Sequence, residues 1–148
     1  MAKRTDIPKF GPLSGIKVVH ATMSVAGPIA AQLLADYGAE VIWIENPLSP
    51  DIARTGTGAT AQQDRRNQRT IALNIPSPEG KEIFLKLIED ADIFIETSRG
   101  GQYSKWGLTD EVMWERNPRL VIVHISGFGQ DGVEEYVSRA SYDPVAQA

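Results

Sequence analysis

At 148 residues and 42% hydrophobic content, the chain can bury one full core, and at roughly 150 residues per domain its length predicts a single domain. With 15 Lys and Arg against 19 Asp and Glu, a net charge of −4 and a pI near 5.2, the chain as a whole does not attract nucleic acid or anionic membrane. The absence of cysteine excludes disulfide scaffolds, thiolate zinc sites and cysteine nucleophiles, and two histidines leave little room for a metal centre.

Met1 to Asp6 are polar and charged, with no signal-peptide pattern behind them, and no apolar run is long enough to span a membrane. The expectation is a soluble, cytoplasmic protein. Residues 1–15 read as an extended lead-in, with the prolines and glycines of Pro8 to Gly15 around Phe10 and Leu13.

Residues 16–148 read as an α/β domain. Ile16 to His20 is a β-branched run. Gly27-Pro28 then opens a helix with Ile29, Leu33, Leu34 and Tyr37 at helical spacing, closed by Gly38, and Val41 to Ile44 is a second strand. Strand, helix, strand within this span is a βαβ unit, whose right-handed crossover makes the strands parallel. Asn46 to Arg69 shows no periodicity and reads as a long loop, locally cationic because Arg54, Arg65, Arg66 and Arg69 sit beside only Asp51 and Asp64.

Thr70 to Ile75 predicts a third strand. Ser77-Pro78-Glu79 is a helix start with a capping hydroxyl, a first-turn proline and an acid near the positive dipole end; Ile83, Phe84, Leu87 and Ile88 give that helix an apolar face. Ile93 to Ile95 is a fourth strand. Thr109, Asp110 and Glu111 start a helix carrying Val112, Met113 and Trp114, which Asn117-Pro118 ends, and Leu120 to Ile125 is a fifth strand. After Gly127 to Gly132 the chain turns at Asp143-Pro144 and stops at Ala148 where a helix has just begun. The alternation predicts a Rossmann-like, doubly wound, mostly parallel sheet.

Ligands of such sheets bind outside the carboxyl ends of the strands. Ser24, Val25 and Ala26 lead from the first strand into a helix N-terminus, which favours anions. Glu45 ends the second strand where dinucleotide-binding domains hold a ribose, yet the first turn offers only Gly27. The literal G-x-G-x-x-G at Gly127, Gly129 and Gly132 follows the wrong strand. After the fourth strand, Thr97, Ser98, Arg99, Gly100, Gly101, Tyr103, Lys105 and Trp106 combine hydroxyls, flexible backbone, cations and aromatics suited to a nucleotide-like ligand, although Trp106 reads better as an anchor for the next helix. His20 and His124 have no acid or second ligand near them in sequence and read as structural. From the residues alone this is a nucleotide-like or CoA-like binding unit without a catalytic constellation.

Pro12-Leu-Ser-Gly-Ile-Lys-Val-Val, Ala26-Gly-Pro-Ile-Ala, Leu34-Ala-Asp-Tyr-Gly-Ala-Glu-Val-Ile-Trp-Ile-Glu45, Arg66-Asn-Gln-Arg-Thr-Ile-Ala-Leu, Asp92-Ile-Phe-Ile-Glu96, Asn117-Pro-Arg-Leu-Val and Ser126-Gly-Phe-Gly-Gln, in collinear order, resemble the N-terminal part of class III CoA-transferases. Pro8-Lys-Phe-Gly-Pro-Leu, Val41-Ile-Trp-Ile-Glu-Asn and Gly129-Gln-Asp-Gly-Val-Glu-Glu-Tyr are most similar to the branch that acts on L-carnitine.

The resemblance implies the N-terminal part of the large domain of an interlinked-ring homodimer, with the rest of that domain and a second domain absent. It implies CoA exchange between γ-butyrobetainyl- or crotonobetainyl-CoA and L-carnitine. The acyl-CoA thioester is a substrate and no cofactor is tightly bound. An aspartate attacks the thioester to form a mixed anhydride, and an enzyme thioester follows. It carries CoA binding onto Ser24, Val25, Ala26, Leu73, Thr97 and Ser98, and CoA phosphates onto Arg99 and Lys105. Trp106 stands where the carnitine branch has a second cation, and Val25 stands where formyl-type enzymes have a glutamine. The nucleophilic aspartate lies past Ala148, and Asp143 matches a different position. The chain is therefore expected to be an N-terminal fragment, inactive alone. Another class III transferase, an α-methylacyl-CoA racemase and a nucleotide-binding module are the alternatives.

Overall fold

A computed structural model describes residues 9–54 and 59–148. Expectations for Met1 to Pro8 lie outside the described residues. Five strands form one parallel sheet in the order β3-β2-β1-β4-β5: β1 (Lys17–Ala21), β2 (Glu40–Glu45), β3 (Arg69–Ala72), β4 (Ile93–Glu96) and β5 (Val121–His124). The chain winds outward from β1 to β3, then crosses back to lay β4 on the other side of β1. This is the doubly wound order that residue alternation predicted.

Helices α1 (Ala26–Asp36) and α2 (Ala59–Asp64) connect β1, β2 and β3; α3 (Pro78–Glu89) makes the return crossover. A single turn, α4 (Gln102–Lys105), and α5 (Asp110–Arg116) lie between β4 and β5, and two short helices, α6 (Glu134–Val137) and α7 (Asp143–Gln147), follow. Among the described residues no helix is long and apolar enough to cross a membrane. The alternating strand residues feed two cores. Val19, Ile44 and Phe94 join Phe84, Leu85, Ile88, Leu108 and Met113 on the α3 and α5 face, whereas Val18, Val41 and Ile95 meet Ala31 and Ala35 of α1 on the other.

The capping signals act as the sequence implies. Ser77 accepts from Gly80 N–H at 3.0 Å to start α3, and Thr109 caps α5 through Val112 N–H. Asn117 ends α5 and stays buried, its Nδ2 donating to the carbonyls of Ile88 and Ala91 at 3.0 and 2.6 Å, which ties the ends of the two helices together.

Several expectations change. The apolar spacing in α1 marks its buried face only at Leu34: Gly27, Ala31 and Ala35 pack on the sheet, while Ile29, Leu33 and Tyr37 are exposed. Small residues let the helix lie closer to the strands than large ones would. In α3 the buried side is Gly80, Phe84, Leu85 and Ile88, with Ile83 exposed. The third strand ends at Ala72, because β2, its one neighbour among the described residues, ends at the paired Glu45; Leu73 and Ile75 then turn into the core. The segment 46–69 is not structureless. It holds a 3-10 turn at Ile52–Arg54 and α2, pinned by long-range ion pairs described below.

In the described part of the lead-in the chain turns before β1. Residues 12–15 form a turn, and Leu13 N–H donates to Tyr37 O at 3.0 Å. The same corner contains a Schellman closure of α1, in which Gly38 N–H bonds Ala35 O and Ala39 N–H bonds Leu34 O, both at 3.0 Å. Gly38 has φ +100°, and a Cβ there would meet Phe10 O at 1.8 Å. Gly38→Ala is expected to cost more than ~1 kcal/mol, from the left-handed backbone together with the clash, measured as a lowered urea midpoint at unchanged m value.

Candidate functional site

Because all strands run parallel, the segments leaving β1, β2, β3 and β4 emerge along one edge of the sheet. A cavity of about 210 Å³ opens there. Thr22 and Met23 after β1, Trp43 to Glu45 of β2 with Asn46 after it, and Leu73 and Ile75 after β3 form its floor and one wall. Thr97 and Ser98 after β4, with Tyr103 and Trp106, form the other. The loops after β1 and β4 are stitched by Met23 N–H donating to Thr97 Oγ1 at 3.0 Å. Gly27 permits this closeness, since a Cβ there would lie 2.5 Å from both Thr22 Cβ and Thr97 Cγ2.

The β2 wall is built on Trp43, which is buried and donates through Nε1 to Thr22 O at 3.1 Å. The Arg65 guanidinium sits 4.3 Å from the centre of its ring and that of Arg54 5.1 Å, while His20 stacks against it. His20 is fully buried. Gln68 Oε1 accepts from its Nε2–H at 2.8 Å, which leaves Nδ1 to accept the Thr22 hydroxyl proton, also at 2.8 Å. Burial, opposed by the Gln68 bond and assisted by the Arg65 charge, lowers the His20 pKa to about 4, so the ring is neutral.

The β4 wall carries an opposite arrangement. Glu96, 1% exposed, accepts from Ser98 N–H at 2.5 Å through one oxygen and faces His124 Nδ1 at 2.7 Å with the other. Asp110 at the start of α5 faces His124 Nε2 at 3.1 Å. Two carboxylates on two ring nitrogens require both to be donors, which is the imidazolium form. Burial alone would lower the His124 pKa, but these two bonds and charges outweigh it and the pKa is raised. Tyr103, buried beside Phe84 and Phe94, has its phenol pushed well up by burial first and by Glu96 second, so it stays neutral.

Of the residues singled out by sequence, Leu73, Thr97 and Ser98 line the cavity. Ser24, Val25 and Ala26 form the turn from Met23 into α1, whose first turn no side chain caps. Arg99 and Lys105 are exposed beside the lining residues Ser98 and Trp106. Trp106 both packs edge-on to Tyr103 at 5.0 Å and lines the cavity, so the anchoring role was half of its placement. Gly127, Gly129 and Gly132 turn the chain after β5, away from the cavity lining.

The cationic loop disappears on folding. Arg54 pairs with Glu45, Arg65 with Asp51, Arg66 with Asp36 and Arg69 with Glu40. The neutralising carboxylates Glu45, Asp36 and Glu40 come from β2 and α1, beyond any local sequence window. Glu45, a candidate ribose ligand by position, is engaged by Arg54 at 2.5 Å. Among the described residues Arg99 and Lys105 form no ion pair, and no group of three or more His, Asp or Glu could hold a metal. Sequence reasoning missed Asp51, Glu96 and the acids around His124. Only the parallel register, which sets Glu96 beside His124, could have revealed the last pair.

The family model for CoA-transferase family III matches residues 13–148. The chain belongs to CoA-transferase family III. It is 53% identical over 143 residues to the bile acid CoA-transferase BaiK of Clostridium scindens, a match covering 97% of this chain and 32% of that protein. The fold agrees with a CAIB/BAIF family protein from Brucella suis (TM-score 0.86, 34% identity, 94% of this chain and 39% of that one). It also agrees with the hypothetical protein Rv3272 of Mycobacterium tuberculosis (TM-score 0.83, 32% identity, 91% and 37%). This family III chain thus spans about a third of the length of the curated relative.

The two histidines give a pH signature. The His20 pKa is depressed, so stability falls as pH drops from 6.5 toward 4, where the unfolded chain takes the proton first. His124 has the opposite sign: its contribution is full below 6.5 and is lost as pH rises through its raised value. Imidazole NMR titration is expected to show His20 neutral down to about pH 4 and His124 titrating above 6.5. The reverse order would contradict the hydrogen bonding described.

Proposed function

We propose that the cavity at the strand ends receives the CoA portion of an acyl-CoA thioester, in an enzyme that exchanges CoA between two carboxylic acids. The observation that carries this reading is the segregation of charge. Every arginine around segment 46–69 is bonded to a carboxylate of the protein, whereas Arg99 and Lys105, on the loop and turn that supply Ser98 and Trp106 to the cavity, have none. Exposed cations without internal partners fit the CoA phosphates, to which charge-assisted bonds are strong. The start of α1 at Val25 and Ala26, which no side chain caps, offers N–H groups to an oxyanion or phosphate, that of Ser24 being taken by Asp51, and Thr97 and Ser98 offer hydroxyls. A dinucleotide fits less well, because Glu45 is held by Arg54.

The chemistry we assign is attack of an aspartate oxygen on the thioester carbonyl, forming a mixed anhydride as CoA thiolate leaves. The thiolate then attacks the aspartyl carbonyl of that anhydride, giving an enzyme thioester and releasing the donor carboxylate. An acceptor carboxylate attacks this thioester and expels the thiolate, which then attacks the acceptor's acyl carbonyl in the second anhydride to give the new acyl-CoA and the free aspartate. We place that aspartate outside these 148 residues and take the working enzyme to be a cytoplasmic homodimer without a tightly bound cofactor. For the acid, the carnitine-branch signatures support L-carnitine with γ-butyrobetainyl- or crotonobetainyl-CoA. The 53% likeness to a bile acid CoA-transferase supports a bile acid instead. Competition assays of the full-length enzyme with the two acids separate these readings, and epimerisation of a 2-methylacyl-CoA without any acid would identify a racemase.

Arg99→Ala and Lys105→Ala in the full-length enzyme are each expected to raise KM for acyl-CoA about tenfold, equivalent to ~1.4 kcal/mol, with KM for the acid unchanged. Equal effects on both substrates would assign these cations a structural role. The 148-residue chain by itself is expected to bind CoA in calorimetry and to show no turnover.

A further inference from the structure

We infer that Asp51 is a positioning residue that, locked by Arg65, holds Ser24 in a left-handed conformation and thereby sets the loop after β1 at the cavity. This deepens the proposed CoA site and rests on that reading for its consequence in binding, though not for its geometry. Ser24 has φ +64°, a region that non-glycine residues rarely occupy and that costs of order 1–3 kcal/mol unless the surroundings enforce it. The enforcing contact is visible. Ser24 N–H donates to Asp51 Oδ2 at 3.0 Å across 27 residues of sequence.

Asp51 is itself over-determined. Its side chain is 2% exposed, Oδ1 accepts from Ala53 N–H at 2.9 Å, Oδ2 also takes the Arg65 guanidinium, and its own N–H reaches toward Glu45. Arg65, 7% exposed, spreads over Trp43, so one ion pair fixes both the indole wall and the loop beside it. Three of the roughly four lone-pair sites of the carboxylate are taken; Asp51 also borders the cavity, so the test must separate an action through Ser24 from direct contact with the ligand. The neighbouring Met23 lines the cavity and Val25 begins α1, so a change of Ser24 to an extended backbone would move both.

The test is a double-mutant cycle in the full chain, with free coenzyme A as the calorimetric probe and amide hydrogen exchange as a ligand-free readout. Asp51→Asn is expected to weaken CoA binding about tenfold and to speed Ser24 amide exchange at least tenfold, with Val19 in the central strand unchanged. Glycine adopts the left-handed region readily. In a Ser24→Gly background, Asp51→Asn is therefore expected to change the CoA Kd by less than threefold. An equal tenfold loss in both backgrounds would overturn the inference, since Asp51 would then act on the ligand or on the fold at large. Wild-type exchange decides the matter if Asp51→Asn does not fold: Ser24 N–H should exchange at least tenfold more slowly than Val25 N–H, and equal rates overturn the clamp. Absence of CoA binding by the wild type would instead remove the proposed ligand and leave the exchange result to decide the clamp.

Discussion

Everything at the site follows from the position of β1. It is hydrogen-bonded to β2 on one side and β4 on the other, both parallel, so the two halves of the chain diverge from its carboxyl end. A parallel sheet directs every strand exit to the same edge. Loops from residues 22, 46, 73 and 97 consequently meet around one cavity although they are far apart in sequence. The two cores on either face keep that edge rigid. Phe84, Phe94 and Tyr103 form an edge-to-face cluster that extends from the centre of the sheet to the cavity wall.

On this frame each charge is decided by the partners the fold brings beside it. Where a guanidinium is covered, as Arg65 is, a carboxylate accompanies it, because an unpaired buried charge is costly. Where the cation is at the surface of the β4 loop it is left to solvent, and is open to an anionic ligand. The two histidines obey the same rule with opposite outcomes. His20, among Thr22, Gln68 and Trp43, has only neutral partners beside a guanidinium and stays neutral; His124, between Glu96 and Asp110, is held charged. An acidic protein thus carries no general attraction for polyanions yet presents two free cations at one place.

The strand and helix alternation, the caps at Ser77 and Thr109 and the Gly38 stop were legible because each depends on a few adjacent residues. The buried face of α1 was not. Its spacing of Ile29, Leu33 and Tyr37 is helical, but the face that packs is chosen by how closely the helix approaches the sheet, and Gly27, Ala31 and Ala35 allow the closest approach. Likewise α2 is short and polar. Its place is set by Arg65 and Arg66 reaching Asp51 and Asp36, contacts no periodicity records.

The amino-acid sequence by itself determined the class of fold, the family resemblance and, of the cavity lining, Thr97 and Ser98, since that strand exit can be read from local pattern, with Leu73 carried over from the resemblance. It also determined that no thiol chemistry occurs in the chain. Tertiary structure alone decided which charges remain available, which proton states the histidines take and why Ser24 sits in a left-handed backbone. Each of these is a property of partners separated by 9 to 48 residues, as in Arg54 with Glu45 and His20 with Gln68, and the partners meet only when the fold brings their segments together.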